Sequence, residues 1–214
     1  MIISHRHKFI FIKTKKTAGT SIEIALAKIC GDADIITPIS PEDEQIRKSL
    51  GYRGPQNHII NGAQLFYNHI PARDVRALVG SEVWDGYFKF CFERNPWDKV
   101  ISWYFWENRT EPRPSISEFI RSGHAGLVGG SGGFDLYAIN GEIAVDKVCL
   151  YENMDQEMVS IQQQLNLPGL PALPRAKSRF RSDRRHYREI FGAEDKIAVE
   201  KMFAREIEHF GYEF

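Results

Sequence analysis

Two short segments carry side chains whose types and spacing suit the handling of anions. The first is Lys13-Thr14-Lys15-Lys16-Thr17-Ala18-Gly19-Thr20-Ser21, with three lysines and no carboxylate before Glu23. A strand that feeds a glycine-containing turn into a helix offers backbone N–H groups and a positive helix end to an anion. Lys16 adds a mobile point charge, and Thr17, Thr20 and Ser21 add hydroxyl donors. The expected chemistry is a phosphate or sulfate cradle over Lys16, Thr17, Ala18, Gly19, Thr20 and Ser21. The second segment is Glu93-Arg94-Asn95-Pro96-Trp97-Asp98-Lys99-Val100-Ile101-Ser102. Arginine gives two parallel hydrogen bonds to a phosphate, and Ser102, two turns into the following helix, completes such a site. Taken alone, Arg94 reads equally well as half of a structural ion pair. With the first segment it suggests a ligand carrying two separated anionic groups.

The first loop is not a nucleoside-triphosphate loop of the GxxxxGK[ST] form, because its glycine stands in the wrong place. No apolar strand ends in an aspartate suited to magnesium, since Asp146 precedes its strand. ATP with magnesium is therefore the weaker reading.

The elements that must hold these loops follow from hydrophobic pattern. Lys8–Lys13 is a short β-prone run, read as the first strand, with His5 and His7 before it. A helix begins at Thr20 or Ser21 with Ile22, Ala25, Leu26 and Ile29 on one face and stops at Gly31. Residues 37–62 read as an irregular excursion with one helix over Pro41–Leu50. Pro71–Val79 reads as a short helix opened by proline. Tyr87–Phe92 is a strong strand and Pro96–Trp106 a strong helix. Gly123–Gly133 holds six glycines, read either as a plain loop or as a lid. Asn140-Gly141 marks a hairpin, Lys147–Tyr151 a third core strand and Asn153–Leu165 an amphipathic helix. Two helices close the chain, over 183–192 and 194–210, the second with Ala198, Met202, Ile207 and Phe210 inward. Strands alternating with helices predict an α/β fold, a central, mainly parallel sheet flanked by helices. In such sheets ligands sit at the carboxyl ends of the strands, where both loops fall.

Length and composition narrow the rest. The chain has 214 residues, which predicts one domain over 1–214. Lys+Arg and Asp+Glu are both 28, so the net charge is zero and bulk-charge binding to nucleic acid or membrane is not expected. No apolar run approaches the ~20 residues of a membrane helix, and Met1–Lys8 is too charged for a signal peptide. Cys30, Cys91 and Cys149 are far apart and read as reduced core thiols of a cytoplasmic protein.

Against this background, Lys16-Thr-Ala-Gly-Thr-Ser-Ile-Glu23 resembles the 5′-phosphosulfate loop of sulfotransferases that use 3′-phosphoadenosine 5′-phosphosulfate (PAPS). Glu93–Ser102 resembles their 3′-phosphate segment, including the Arg-to-Ser spacing of eight. Tyr151-Glu-Asn-Met154 and Ile207–Phe214 are similar to further stretches of that family. The likeness covers most of the chain and is nearest to the branch of carbohydrate sulfotransferases such as the heparan-sulfate 2-O enzymes. One departure is Lys15, where many members have proline. The change bears on loop rigidity and leaves Lys16 in place.

The resemblance implies a P-loop nucleoside-triphosphate-hydrolase-like three-layer fold and a PAPS-dependent sulfotransferase without a metal. It implies that Lys16 touches the bridging oxygen between phosphate and sulfate, that Thr17–Ser21 hold the 5′-phosphate, and that Arg94 and Ser102 hold the 3′-phosphate. The reaction it implies is a direct in-line displacement at sulfur with a base for the acceptor hydroxyl. The base candidates are His58, His69 and His124. His69, in Tyr67-Asn-His-Ile-Pro71, resembles the family histidine and is the first choice, with His58 the runner-up. A basic stretch over 173–188 includes Arg175, Lys177, Arg179, Arg181, Arg184, Arg185 and Arg188. It reads as a solvated face, as the family's cover over the nucleotide (Lys177 and Arg179 among its cofactor contacts), or as a surface for an anionic acceptor. The acceptor is expected to bear a hydroxyl, on a carbohydrate or small molecule. The competing classes are an ATP- and magnesium-dependent kinase, a nucleotide-binding protein without activity, and a nucleic-acid binder through 173–188.

Overall fold

A computed structural model describes residues 1–174, 176 and 180–214. In chain order the first half contains β1 (Ile2–Ser4), β2 (Phe9–Phe11), α1 (Gly19–Ala27), β3 (Ile35–Ile36), α2 (Pro41–Ser49), β4 (Ile59–Ile60), β5 (Ala63–Gln64), α3 (Ala72–Gly86) and β6 (Phe88–Glu93). The second half contains α4 (Pro96–Glu107), α5 (Ile116–Arg121), two 3-10 turns at His124–Val128 and Gly130–Gly132, α6 (Phe134–Tyr137), β7 (Ala138–Ile139), β8 (Glu142–Ile143) and β9 (Lys147–Leu150). It ends with a 3-10 turn at Tyr151–Asn153, α7 (Met154–Gln164), α8 (Tyr187–Ile190), α9 (Ala193–Met202) and α10 (Ala204–Phe210).

The central sheet has the order β3-β1-β2-β6-β9. β2, β6 and β9 pair in parallel, with Phe11 opposite Phe90 and Phe92 opposite Cys149. β1 is antiparallel to both β2 and β3. The sheet is thus mixed rather than mainly parallel in its pairing, around a parallel core. Both faces are covered. Ile2, Phe9, Phe11, Phe90 and Phe92 pack with Ile22, Leu26, Met158 and Ile161 of α1 and α7. Ile3, Ile10 and Cys91 pack on the other face with Val75, Trp84, Phe134 and Tyr137 of α3 and α6. Strands buried on both sides read as continuous apolar runs, which is why Phe9–Phe11 was legible; Phe88–Phe92 was legible from its three alternating phenylalanines, although the buried Lys89 interrupts the run. A third cluster joins α4 to α5, α9 and α10 around Trp97, Ile101, Phe119 and Phe203.

Several expectations are corrected here. Ile2–Ser4, read as lead-in, is a strand: two β-branched isoleucines pair on both sides, and the charged His5–Lys8 stretch is only the turn to β2. The short helix over 71–79 runs on to Gly86 across a kink at Gly80, where φ is 77°. The helix expected over 183–192 shrinks to Tyr187–Ile190, and that over 194–210 breaks at Phe203, which leaves helical geometry to bury its ring. Asp195, Val199, Phe203 and Glu206 are its buried positions, while Ala198, Met202, Ile207 and Phe210 are half-buried. The glycine-rich segment is two tight 3-10 turns in close contact with the body. A Cβ at Gly132 would stand 2.1 Å from the Leu127 carbonyl oxygen. The hairpin at Asn140-Gly141 forms as read, with φ of 54° and 86°. All three cysteines are buried free thiols, and burial pushes those of Cys30 and Cys149 up to about 12. Among the described residues, no helix is long and apolar enough to cross a membrane.

Candidate active site

The parallel pairing brings the carboxyl ends of β2, β6 and β9 to one edge of the sheet, the edge where α/β proteins bind ligands. A cleft of about 690 Å³ opens there, lined by the loop after β2, by Arg94 after β6 and by Tyr151 after β9. That volume lies within the ~300–1,000 Å³ typical of small-molecule sites.

The loop after β2 is held in an uncommon shape. Lys16 and Ala18 both adopt the left-handed conformation, with φ of 63° and 58°. His69, across the cleft, shares it at 60°. Non-glycine residues held this way cluster at binding sites, where the surroundings over-determine them. Ala18 precedes α1 and gives no side-chain cap, and the first turn of the helix carries no acid. The first intrahelical bond runs from the Ile22 N–H to the Ala18 carbonyl, so the N–H groups of Gly19, Thr20 and Ser21 are left to the cleft these residues line. Gly19 is required by packing: a Cβ there would lie 2.7 Å from Lys13 Cγ. Lys13 in turn is buried against Glu23. Burial acts to raise the Glu23 carboxyl, but Lys13 and the Met1 amino group outweigh it and hold Glu23 at about 2.

Lys16 extends over the Trp106 ring, 4.8 Å from its centroid. Thr17 is the exception in the loop. It is buried, and its hydroxyl bonds the Thr14 hydroxyl at 2.8 Å, so it braces the loop instead of lining the cleft. Lys15 is turned toward the glycine-rich segment, donating to the Leu127 carbonyl at 3.1 Å, while its own N–H reaches the Gly132 carbonyl. Burial lowers the pKa of Lys15. Segment 124–132 is therefore docked onto the loop after β2 through this residue.

On the second loop, Asn95 caps α4 by accepting from the N–H groups of Trp97 and Asp98, and Pro96 takes the first helical position. The buried Glu93 carboxylate accepts the Arg94 N–H at 2.8 Å, Lys99 Nζ at 2.5 Å and the Tyr137 hydroxyl at 3.1 Å, which fixes the point where Arg94 leaves the strand. Arg94 satisfies both of its sequence readings. Its guanidinium lines the cleft, and it also pairs with Asp98 through Nε at 2.9 Å and Nη2 at 2.5 Å. Nη1 donates to the Lys16 carbonyl at 3.0 Å, tying the two loops together, and the group stacks 4.1 Å from the Tyr151 centroid. Ser102 lies one turn beyond Asp98 on α4 and lines the cleft; among the described residues its hydroxyl has no protein partner.

His69 lines the opposite wall. Its Nδ1–H donates to the Lys13 carbonyl at 2.9 Å, which leaves the Nε2 lone pair as the acceptor of the ring. Burial first, and then the Lys13 charge, holds the imidazole down at about 3. His58 and His124 are not among the residues that line the cleft; His124 sits 3.7 Å from Glu107. Arg175, Lys177 and Arg179 lie outside the described residues. Of the described members of the basic stretch, Arg181 and Arg184 reach the cleft.

Sequence reasoning missed Asn68, Trp103, Trp106 and Tyr151 as wall residues and Asp98 as the partner of Arg94. The helical spacing of Asp98, Ser102 and Trp106 carried that signal, since residues four apart share a face. Among the described residues, no group of three or more His, Cys, Asp or Glu is placed to hold a metal ion.

No protein-family model matches the chain. An uncharacterized protein of Archaeoglobus fulgidus is 34% identical over 104 residues, which make up 46% of this chain and 84% of the archaeal protein. The chain belongs to the same family as that uncharacterized archaeal protein.

Proposed function

We propose that the chain is a single sulfotransferase domain of the P-loop-like three-layer type, moving a sulfuryl group from PAPS to an acceptor hydroxyl. The observation that carries this reading is the convergence of two anion sites and one neutral histidine on one cleft. The uncapped start of α1 with Lys16 forms the first site. Arg94 with the Ser102 hydroxyl, which has no partner among the described residues, forms the second. A donor with separated phosphates fits this set of cations and hydrogen-bond donors. The buried thiols suit a reducing, cytoplasmic setting.

PAPS supplies an activated sulfuryl group whose departure leaves a phosphate. Lys16 and the first-turn N–H groups of α1, which line the cleft together, would stabilise the charge that gathers on that leaving phosphate. Arg94 and Ser102 hold the second phosphate. His69 accepts the proton of the acceptor hydroxyl on Nε2, with its ring orientation set by the Lys13 carbonyl. Burial is the first cause of the low imidazole basicity; a bound polyanion offsets the second, the Lys13 charge, and raises the basicity in that part. The acceptor is a carbohydrate or a small hydroxylated molecule.

Calorimetric titration with 3′-phosphoadenosine 5′-phosphate in EDTA, beside ATP with magnesium, tests the reading. Binding of the first and weak binding of the second supports it; the reverse pattern makes the protein a kinase-type nucleotide binder. Binding without turnover of PAPS against a panel of acceptors leaves a nucleotide-binding protein. Lys16→Ala and His69→Ala should each retain most nucleotide binding and lose turnover, whereas Arg94→Ala should weaken binding. Unchanged turnover in Lys16→Ala removes that residue from the mechanism.

A further inference from the structure

A carboxylate stands between two of the arginines that line the cleft. Asp98 Oδ2 accepts from Arg94 Nε at 2.9 Å and from Nη2 at 2.5 Å. Its other oxygen, Oδ1, accepts from Arg181 Nη1. A negative group between the two arginines opposes an anion site if it occupies the ligand's place, and serves it if it stands behind them. The geometry decides between these. Arg94 and Arg181 line the main cleft, and Asp98 does not. Asp98 faces a second, smaller cavity of about 410 Å³ on the far side of Arg181. The carboxylate thus takes the rear edges of both guanidinium groups.

The donor count agrees. Each guanidinium has five N–H groups. Arg94 uses three, two on Asp98 and one on the Lys16 carbonyl. Arg181 also uses three, on Asp98, the Asp183 carbonyl and the Arg185 carbonyl. Two terminal N–H groups remain on each arginine without a partner among the described residues. The Tyr151 ring at 4.1 Å fixes the plane of Arg94. Arg181 makes its two carbonyl bonds within its own turn, so Asp98 is what ties that turn to α4. The trio keeps one net positive charge. Burial acts to raise the Asp98 carboxyl, but the two arginines outweigh it, so the group is charged at neutral pH.

We propose that Asp98 is a positioning residue for the second anion site: it aligns Arg94 and docks Arg181 beside it, so that both present free N–H groups to the 3′-phosphate of the nucleotide. This inference rests on the sulfotransferase reading and adds to it a residue that touches no ligand. A carboxylate behind the arginines also makes the site selective. It lowers the standing positive charge, so one phosphate gains little there unless it meets both oriented groups.

The test compares adenosine 5′-phosphate with 3′-phosphoadenosine 5′-phosphate, by calorimetry on the full chain. In Asp98→Asn, affinity for the 3′-phosphorylated nucleotide should fall about ten-fold or more, as expected for lost charge-assisted alignment. Affinity for adenosine 5′-phosphate should stay within about two-fold, since the α1 site is untouched. Asp98→Glu should recover part of the loss. Arg181→Ala should reproduce it, and Asp98→Asn with Arg181→Ala should lose little more than either alone, because both break one linkage. Tighter binding of the 3′-phosphorylated nucleotide in Asp98→Asn overturns the proposal, as that result makes the carboxylate a competitor. Equal losses for both nucleotides, or additive losses in the double variant, also overturn it. A wild-type chain that does not prefer the 3′-phosphorylated nucleotide refutes the sulfotransferase reading itself, and this inference with it.

Discussion

Replacing His69 with asparagine should flatten the acid side of the stability profile. In the folded chain, burial and then Lys13 hold the imidazole at about 3, whereas an unfolded imidazole titrates near ~6.5. Between those values the unfolded chain binds a proton at this position and the folded chain does not. Stability is therefore full above about pH 6.5 and is lost as the pH falls toward 3. The gap of roughly 3.5 pH units corresponds to about 5 kcal/mol when fully developed. Near pH 5.5 about nine-tenths of unfolded imidazoles are protonated, so this one group contributes a slope of about 1.2 kcal/mol per pH unit. Asparagine tolerates the left-handed backbone at this position and can still donate toward the Lys13 carbonyl, so the variant isolates the titration from the fold. Urea unfolding between about pH 5 and 6.5 gives the stability at each pH. The wild-type slope should exceed that of His69→Asn by roughly the stated amount. Equal slopes would show that His69 takes up protons freely in the folded chain, and would refute its assignment as a buried neutral base.

Three further outcomes are expected. Glu23→Gln removes the partner of the buried Lys13 ammonium and should cost about 3–5 kcal/mol in urea unfolding; a loss under about 1 kcal/mol means that the pair adds little. Gly132→Ala drives a methyl group against the Leu127 carbonyl, 2.1 Å away, and should destabilise by at least about 1–3 kcal/mol; a neutral result would show that the segment shifts freely. Gly19→Ala presses on the Lys13 stem at 2.7 Å. Because that contact displaces the start of α1, nucleotide affinity should fall by a larger factor than stability alone explains, and unchanged affinity in calorimetry contradicts this.

What the sequence disclosed followed the strength of the local pattern. Phe9–Phe11 is apolar on both faces, and Phe88–Glu93 sets Phe88, Phe90 and Phe92 on one face; each loop begins where the aromatic run stops, so the loop after β2 and Arg94 were placed on one edge. Asn140-Gly141 was unambiguous because both residues accept positive φ. Ile2–Ser4 and Ile35–Ile36 were missed because three and two residues show no period, and only their long-range pairing makes them strands. The glycines of 123–133 were read as a plain loop or a lid, yet Gly132 is there because a neighbouring carbonyl fills the space. The break at Phe203 has no proline or glycine to mark it; the chain leaves the helix because the third cluster has room for that ring. Thr17 and Ser21 are alike in type, and composition could not tell which hydroxyl turns inward. Asp98 was missed although its spacing of four from Arg94 was readable; what no local pattern carried is its second partner, Arg181, more than eighty positions away along the chain.

Helix α4 serves two structures at once. One side of it, with Trp97, Val100, Ile101, Tyr104 and Phe105, is embedded in the third cluster. Another side carries Ser102 and Trp106 to the cleft and Asp98 to the cavity beside it. In hydrogen-exchange terms, the amides of this helix then have no cheap local opening, because exposing them means dismantling the cluster. The cleft-facing surface of α4 inherits the protection of a core it does not belong to, and slow exchange along it is expected in the chain by itself.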